Sequence, residues 1–206
     1  MNALIIANGL QPPLTIVRPL TESGKLVICA DGGANHALKM NIKPDVIIGD
    51  FDSILSSTKV YYSNVRQIVD HDQESTDLEK AIRYCIAQQI VAVDIVGATG
   101  NRLDHTTGTL GCFKKFGGHI LLRLVDSVGI LTLIRSSVTL QTKIKEKLSL
   151  IPLERCTGVT TSNLLYGLHD ETLELGVREG ISNEATAEEV SVSVKSGTLL
   201  LYRFHA

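Results

Sequence analysis

A chain of 206 residues with 20 Lys and Arg against 22 Asp and Glu has a formal net charge of −2, which excludes the basic field that holds nucleic acid or acidic lipid non-specifically. Its 44% hydrophobic and 20% charged residues are those of a globular protein, long enough for one large domain or two small ones. Cys29, Cys85, Cys112 and Cys156 are widely spaced with no C-x-x-C pair, a pattern of reduced, packed thiols rather than a zinc site or a disulfide framework.

Met1 to Ala7 lacks a basic start and a cleavage pattern, so it reads as a first strand rather than a signal peptide. No stretch has the apolar length of a membrane span, and a cytoplasmic protein with no membrane partner is expected. Strands are predicted at Ala3–Ala7, Leu26–Ala30, Val46–Gly49, Arg66–Val69, Ala92–Val96 and Ile120–Val125, most of them apolar on both faces as buried parallel strands are. Helices are predicted between them at Ala34–Met40, Thr76–Gln89 and His105–Phe116. In the second of these, Leu78, Ala81, Ile82, Cys85 and Ile86 form one stripe at helical spacing, and Thr76 with Glu79 has the spacing of a capping box. The alternation predicts an α/β domain over residues 1–125, with a mostly parallel sheet flanked by helices.

After about Asp126 the texture changes. Short alternating runs at Ile130–Ile134, Lys147–Ile151, Thr172–Leu175, Val190–Val194 and Leu199–Phe204 are divided by Gly, Ser, Asn and Asp, without helical stripes. They predict a small, sandwich-like all-β domain over residues 126–206.

The chemistry lies in where the carboxylates fall. Asp31 follows the second predicted strand, Asp50 and Asp52 the third, Asp72 and Asp77 the fourth, and Asp104 the fifth. Ligands of open α/β sheets bind outside the carboxyl ends of the strands, so parallel strands bring these acids to one edge. Any single loop Asp has an ordinary reading as a cap or turn residue, but turn chemistry does not require acid at four consecutive strand ends. Clustered carboxylates repel one another unless a cation joins them. Asp50 and Asp52, two apart in what reads as an extended segment, point to one side and can share a metal. Oxygen ligands without His or Cys favour magnesium. Gly32, Gly33, Gly97 and Gly100 let backbone amides approach phosphate, and Arg102 offers a fork of donors. No P-loop, no G-x-G-x-x-G after the first strand and no G-x-S-x-G elbow is present.

At these residues the sequence resembles the thiamine pyrophosphokinases. The matching segments are Asp31-Gly32-Gly33-Ala34-Asn35, Pro44-Asp45 with Gly49-Asp50-Phe51-Asp52-Ser53, Gln73 to Glu79, Gly97 to His105, and Gly180-Ile181-Ser182-Asn183-Glu184. The resemblance implies magnesium-dependent transfer of diphosphate from ATP to the hydroxyl of thiamine, with release of AMP. It further implies a homodimer with active sites between subunits. By matching position, Asp50, Asp52 and Asp77 are implied as magnesium ligands. Asp31, Asn35, Thr76, Gly97, Gly100, Arg102, Asp104 and His105 are implied around the nucleotide and the transfer site, with Arg102 and Asp104 in the chemistry. Gln73, Ser182 and Asn183 are implied as thiamine contacts. Three other readings use the same residues: a diphosphokinase for another hydroxymethyl heterocycle such as a pterin, a glycosyltransferase using its D-x-D, and a non-catalytic nucleotide-sensing module.

Overall fold

Six of the apolar runs become strands of one parallel array. The computed structural model describes residues 1–205, with a first unit, Met1–Ser127, and a second that begins at Val128. In the first unit the strands are β1 (Asn2–Ile6), β2 (Leu26–Ala30), β3 (Val46–Gly49), β4 (Arg66–Val69), β5 (Ala92–Val96) and β6 (Leu121–Val125). Their spatial order is β6-β5-β1-β2-β3-β4, and every neighbouring pair is parallel. Leu4, Ile5, Ile6, Ile28, Ile47, Ile48 and Ile95 are fully buried. Consecutive residues of a strand point to opposite faces, so the continuous burial of Leu4 to Ile6 means that both faces of the sheet are covered.

The covering helices are α1 (Leu14–Glu22), α2 (Gly33–Lys39), α3 (Ser56–Tyr61), α4 (Asp77–Ala87) and α5 (Leu103–Phe116). Helix α4 starts where its capping box places it, with the Glu79 amide donating to Thr76 Oγ1 at 3.3 Å. Helices α1 and α3 are additions to the three read from the sequence. Helix α1 carries Pro19 in its interior and buries only Val17, so its apolar stripe is thin and one backbone hydrogen bond is missing. Helix α3 has six residues and buries only Thr58, too little to leave a period in the sequence.

The order of strands creates one reversal. From β1 the chain proceeds outward through β2, β3 and β4, then returns to the other side of β1 as β5 and β6. The loops after β1 and β5 therefore meet at the carboxyl edge beside this reversal, where ligands of such sheets lie. One ion triad around the buried Asp94 pins the returning side. Asp94 of β5 accepts from Lys25 Nζ and Arg123 Nε, each at 2.6 Å, tying the residue before β2 and the middle of β6 to β5.

The second unit contains β7 (Gly129–Ile134), β8 (Ser137–Gln141), β9 (Lys147–Pro152), β10 (Cys156–Ser162), β11 (Glu171–Leu173), β12 (Gly180–Glu184), β13 (Glu189–Ser193) and β14 (Leu199–Phe204). They form two antiparallel arrays, β12-β9-β14-β7 and β11-β10-β13-β8. Leu148, Leu150, Val159, Leu173, Val190, Val192 and Leu199 pack into one core. Three of these strands, β8, β10 and β12, were not among the predicted runs. Their Ser, Thr, Asn and Glu content masks the alternation, and each is defined by its pairing to a neighbouring strand.

Candidate functional site

Three carboxylates converge at the carboxyl edge of the first unit. Asp31 directly follows β2, Asp50 directly follows β3, and Asp77 opens α4; one oxygen from each lies within 4.8 Å of the other two. Room for them comes from Gly49. A Cβ there would stand 2.7 Å from the Asp31 Cβ and 3.1 Å from Asp77 Oδ1, so any larger residue would push the acids apart.

Asp31 is 1% exposed and sits at φ 42°, a left-handed conformation that Asp tolerates better than most residues but still at a cost. Its Oδ2 accepts from the Ser53 amide at 3.1 Å, whereas its buried Oδ1 has no hydrogen-bond partner among the described residues. Burial pushes the Asp31 carboxyl above its ordinary value, and the neighbouring Asp77 charge pushes it further. The Asp77 carboxyl is also raised by burial, against the pull of Lys80, whose Nζ lies 3.2 Å from Asp77 Oδ1. Asp50 is held below its ordinary value, first by the Asp52 amide and also by the Gln73 side chain. A buried carboxylate oxygen without a hydrogen-bond partner among the described residues, facing two more carboxylates, could serve a hard divalent cation.

The loop carrying Asp50 is fixed from several sides. Phe51 is left-handed at φ 67°, so the segment is a tight turn rather than the extended piece expected from the sequence. Asp52 consequently lies outside the three-acid group, and its Oδ1 accepts from Ser53 Oγ at 2.7 Å. Asn35 grips the same loop: its Nδ2 donates to the Ser53 carbonyl and its Oδ1 accepts from the Leu55 amide. Lys59 Nζ donates to the Phe51 carbonyl at 2.7 Å. Asp72 faces its own loop, accepting from Ser75 Oγ, the Glu74 amide and Arg83, which lower its carboxyl to about 2.

Beside the acids, at the strand-order reversal, lies a cleft of about 240 Å³ lined by Asn8, Gly9, Ser53, Thr76, Asp77 and Arg102 among others. Its walls are the loops after β1 and β5, joined by hydrogen bonds from Gly9 N to the Gly97 carbonyl (2.6 Å) and from Leu10 N to the Thr99 carbonyl (2.8 Å). Gly97 is at φ 65°, and a Cβ there would meet the Ala7 carbonyl at 2.9 Å. Gly100 and His105 also line the cleft. Arg102 and Asp104 stand exposed at its lip as a two-bond ion pair, which holds the Asp104 carboxyl at about 2.

Ser182 and Asn183 lie in the second unit. The pairing of β12 with β9 shifts between Gly180 and Asn183, and Ser182 is left-handed at φ 58° and exposed, a bulge of the kind that re-aims a side chain. Asn183 is 3% exposed. Its Oδ1 accepts from the Tyr166 and Glu184 amides and its Nδ2 donates to the Tyr166 carbonyl. Its amide oxygen cannot serve a ligand without abandoning two backbone donors. Asn183 instead fixes the backbone of Tyr166, whose side chain is exposed. Two features escaped sequence reasoning: Lys80, which reads as a solvated helix position although it stands three residues after Asp77, and Tyr166, whose tie to Asn183 leaves no local pattern.

With this geometry in place, comparison with known proteins is informative. The family model described as "Thiamin pyrophosphokinase, catalytic domain" matches residues 17–120, and "Thiamin pyrophosphokinase, vitamin B1 binding domain" matches residues 135–199. Thiamine pyrophosphokinase 1 of Arabidopsis thaliana is 31% identical over 96% of this chain and 84% of its own length. Thiamine pyrophosphokinase 1 of Oryza sativa subsp. japonica is 30% identical over 89% of this chain and 80% of its own. The crystal structure of thiamine pyrophosphokinase from Bacillus subtilis superposes with a TM-score of 0.88, at 25% identity and 99% coverage of both chains.

The strained acid group predicts a trade between stability and function. The Asp31 carboxyl is raised above its ordinary 3.8, so its burial weakens the folded state once pH exceeds the raised value and has no effect below the ordinary one. Asp31→Asn should therefore raise the melting temperature of metal-free protein at neutral pH, by about 2–4 °C for each kcal/mol relieved. The gain should vanish in acid below the ordinary carboxylate value. Calorimetry across pH checks this; a lower melting temperature at neutral pH would show that the charge on Asp31 is already compensated.

Proposed function

The chain belongs to the thiamin pyrophosphokinase family, and we propose that it transfers a diphosphoryl group from magnesium-bound ATP to the hydroxyl of thiamine, releasing AMP, at the acid-lined carboxyl edge of the first unit. The observation that carries the location is the buried, unpartnered Oδ1 of Asp31 facing Asp50 and Asp77. Nothing in the comparisons favours a pterin acceptor, and both matching family models are described by thiamin.

When bound, magnesium supplies charge neutralisation for the phosphate oxygens of the donor and of the departing AMP. Asp31, Asp50 and Asp77 are the residues that would hold it, with Asp31 taking the place expected for Asp52 and Asp52 left at the exposed side. The adjoining cleft fits the nucleotide, its backbone loops approaching phosphate closely because Gly97 and Gly100 are both left-handed and carry no Cβ. Arg102 reaches this lip already paired with Asp104. A phosphate that takes the guanidinium fork frees Asp104 Oδ2 while the His105 amide stays on Oδ1, and Asp104, which is outside the metal-holding group, is then the acid placed to accept the alcohol proton. Gln73, beside Asp50, faces the acceptor. In the second unit the exposed Ser182 and the Tyr166 ring, steadied through Asn183, offer a hydroxyl and an aromatic face to a heteroaromatic ring.

A direct assay is AMP release from ATP with thiamine, with and without magnesium. The native chain should form AMP only when all three are present. Asp50→Asn and Asp77→Asn should each lower kcat/KM by at least about a hundredfold, equivalent to about 2.7 kcal/mol of transition-state stabilisation, while circular dichroism stays native. Near-native rates in both variants would remove the acids from the site.

The resemblance also supports a homodimer in which one subunit provides the acid group and the other provides Ser182. Mixing two variants that are inactive alone, Asp50→Asn and Ser182→Arg, under subunit exchange should restore part of the activity, because one of the two sites in a mixed dimer then carries neither lesion. Continued inactivity despite demonstrated exchange would contradict shared sites and leave the chemistry untouched.

A further inference from the structure

We propose that Lys80 sets the net charge of the acid group and so makes it selective for a divalent cation. This rests on the metal reading above, and it concerns a residue outside the D-x-D and Gln73-to-Asp77 motifs that first marked the site.

Lys80 lies in the first turn of α4, on the same face as Asp77 because residues three apart are neighbours on a helix. Its side chain is 3% exposed, with Nζ 3.2 Å from Asp77 Oδ1. A buried ammonium is costly without a partner, and a helix on the face of a sheet has no structural need for one. Leu78, Ala81, Ile82 and Cys85 show what the buried side of α4 otherwise contains. The charge count gives Lys80 a purpose. Three carboxylates with one ammonium leave two negative charges, which one divalent cation cancels. Other charged groups nearby lie at the solvent side: Asp52, whose charge still reaches Asp31 and Asp77, is exposed, and Lys59 is exposed and held by the Phe51 carbonyl. Without Lys80 the three acids would carry three charges and attract a trivalent cation better still.

This role differs measurably from merely propping Asp77 in place. Coulomb attraction scales with the charge of the cation, so removing a fixed positive charge must help a trivalent ion one and a half times as much, in free energy, as a divalent one. A lost prop weakens both ions, and the trivalent one more, so their ratio falls.

The experiment is calorimetric titration of the full chain with manganese(II) and with terbium(III), in the absence of nucleotide. Lys80→Met should bind manganese about tenfold more tightly than the native chain and terbium about thirtyfold more tightly, raising the terbium-to-manganese ratio about threefold. Lys80→Arg keeps the charge and should keep the native ratio. Asp77→Asn and Asp77→Asn/Lys80→Met give the same step in charge with weaker binding overall. That second pair does not depend on Lys80→Met folding, because removing both members of a buried ion pair is often nearly neutral for stability. An unchanged or lowered ratio in both pairs would overturn the charge-setting role while leaving the metal site standing. If the native chain bound neither ion, the metal reading would fall and this inference with it.

Discussion

Mutual repulsion of Asp31, Asp50 and Asp77 is the constraint around which the first unit is built. Three carboxylate oxygens within 4.8 Å of one another do not stay together unless something forces them. The forcing groups are identifiable. Parallel pairing of β2 with β3 sets Asp31 and Asp50 side by side at adjacent strand ends, and the Thr76 cap fixes where α4 begins and hence where Asp77 stands. The missing side chain at Gly49 leaves the space between them. Left-handed backbone at Asp31 and Phe51 is the accompanying strain.

Much of what surrounds the acids holds them in place. Asn35 binds backbone on both sides of its amide, Ser53 bonds to Asp31 and Asp52, and Lys59 holds the Phe51 carbonyl. Asn183 does the same for Tyr166 in the second unit. A site whose ligands must be placed to within a fraction of an ångström needs such support. Motif residues are therefore of two kinds, and only the geometry separates them.

This separation also marks how far the sequence can be read. Strands β1, β2, β3, β5 and β6 are legible because each is a short run rich in Ile, Val or Leu, β4 because Ile68 and Val69 end its run, and α4 because its apolar stripe and Thr76 cap agree. The gathering of acids is legible because parallel strands put their carboxyl ends on one edge. That Asp52 stands outside the group of Asp31, Asp50 and Asp77 is not legible: it depends on Phe51 turning left-handed, which converts an i, i+2 pair from neighbours on one face into residues of a turn. Lys80 is hidden because a Lys in a helix normally lies in solvent, and only the packing of α4 reveals that it does not. Helix α1, with Pro19 inside it and one buried residue, offers too little pattern, and β8, β10 and β12 are too polar to stand out from their loops.

The most direct measurement is a crystal structure of the chain soaked in manganese(II), with the ion located by its anomalous scattering. The account predicts one ion bonded to Asp31 Oδ1, Asp50 and Asp77, with Asp52 outside the coordination sphere and Lys80 still within reach of Asp77. An ion held by Asp50 and Asp52 alone, with Asp31 Oδ1 remote from it, would contradict the account.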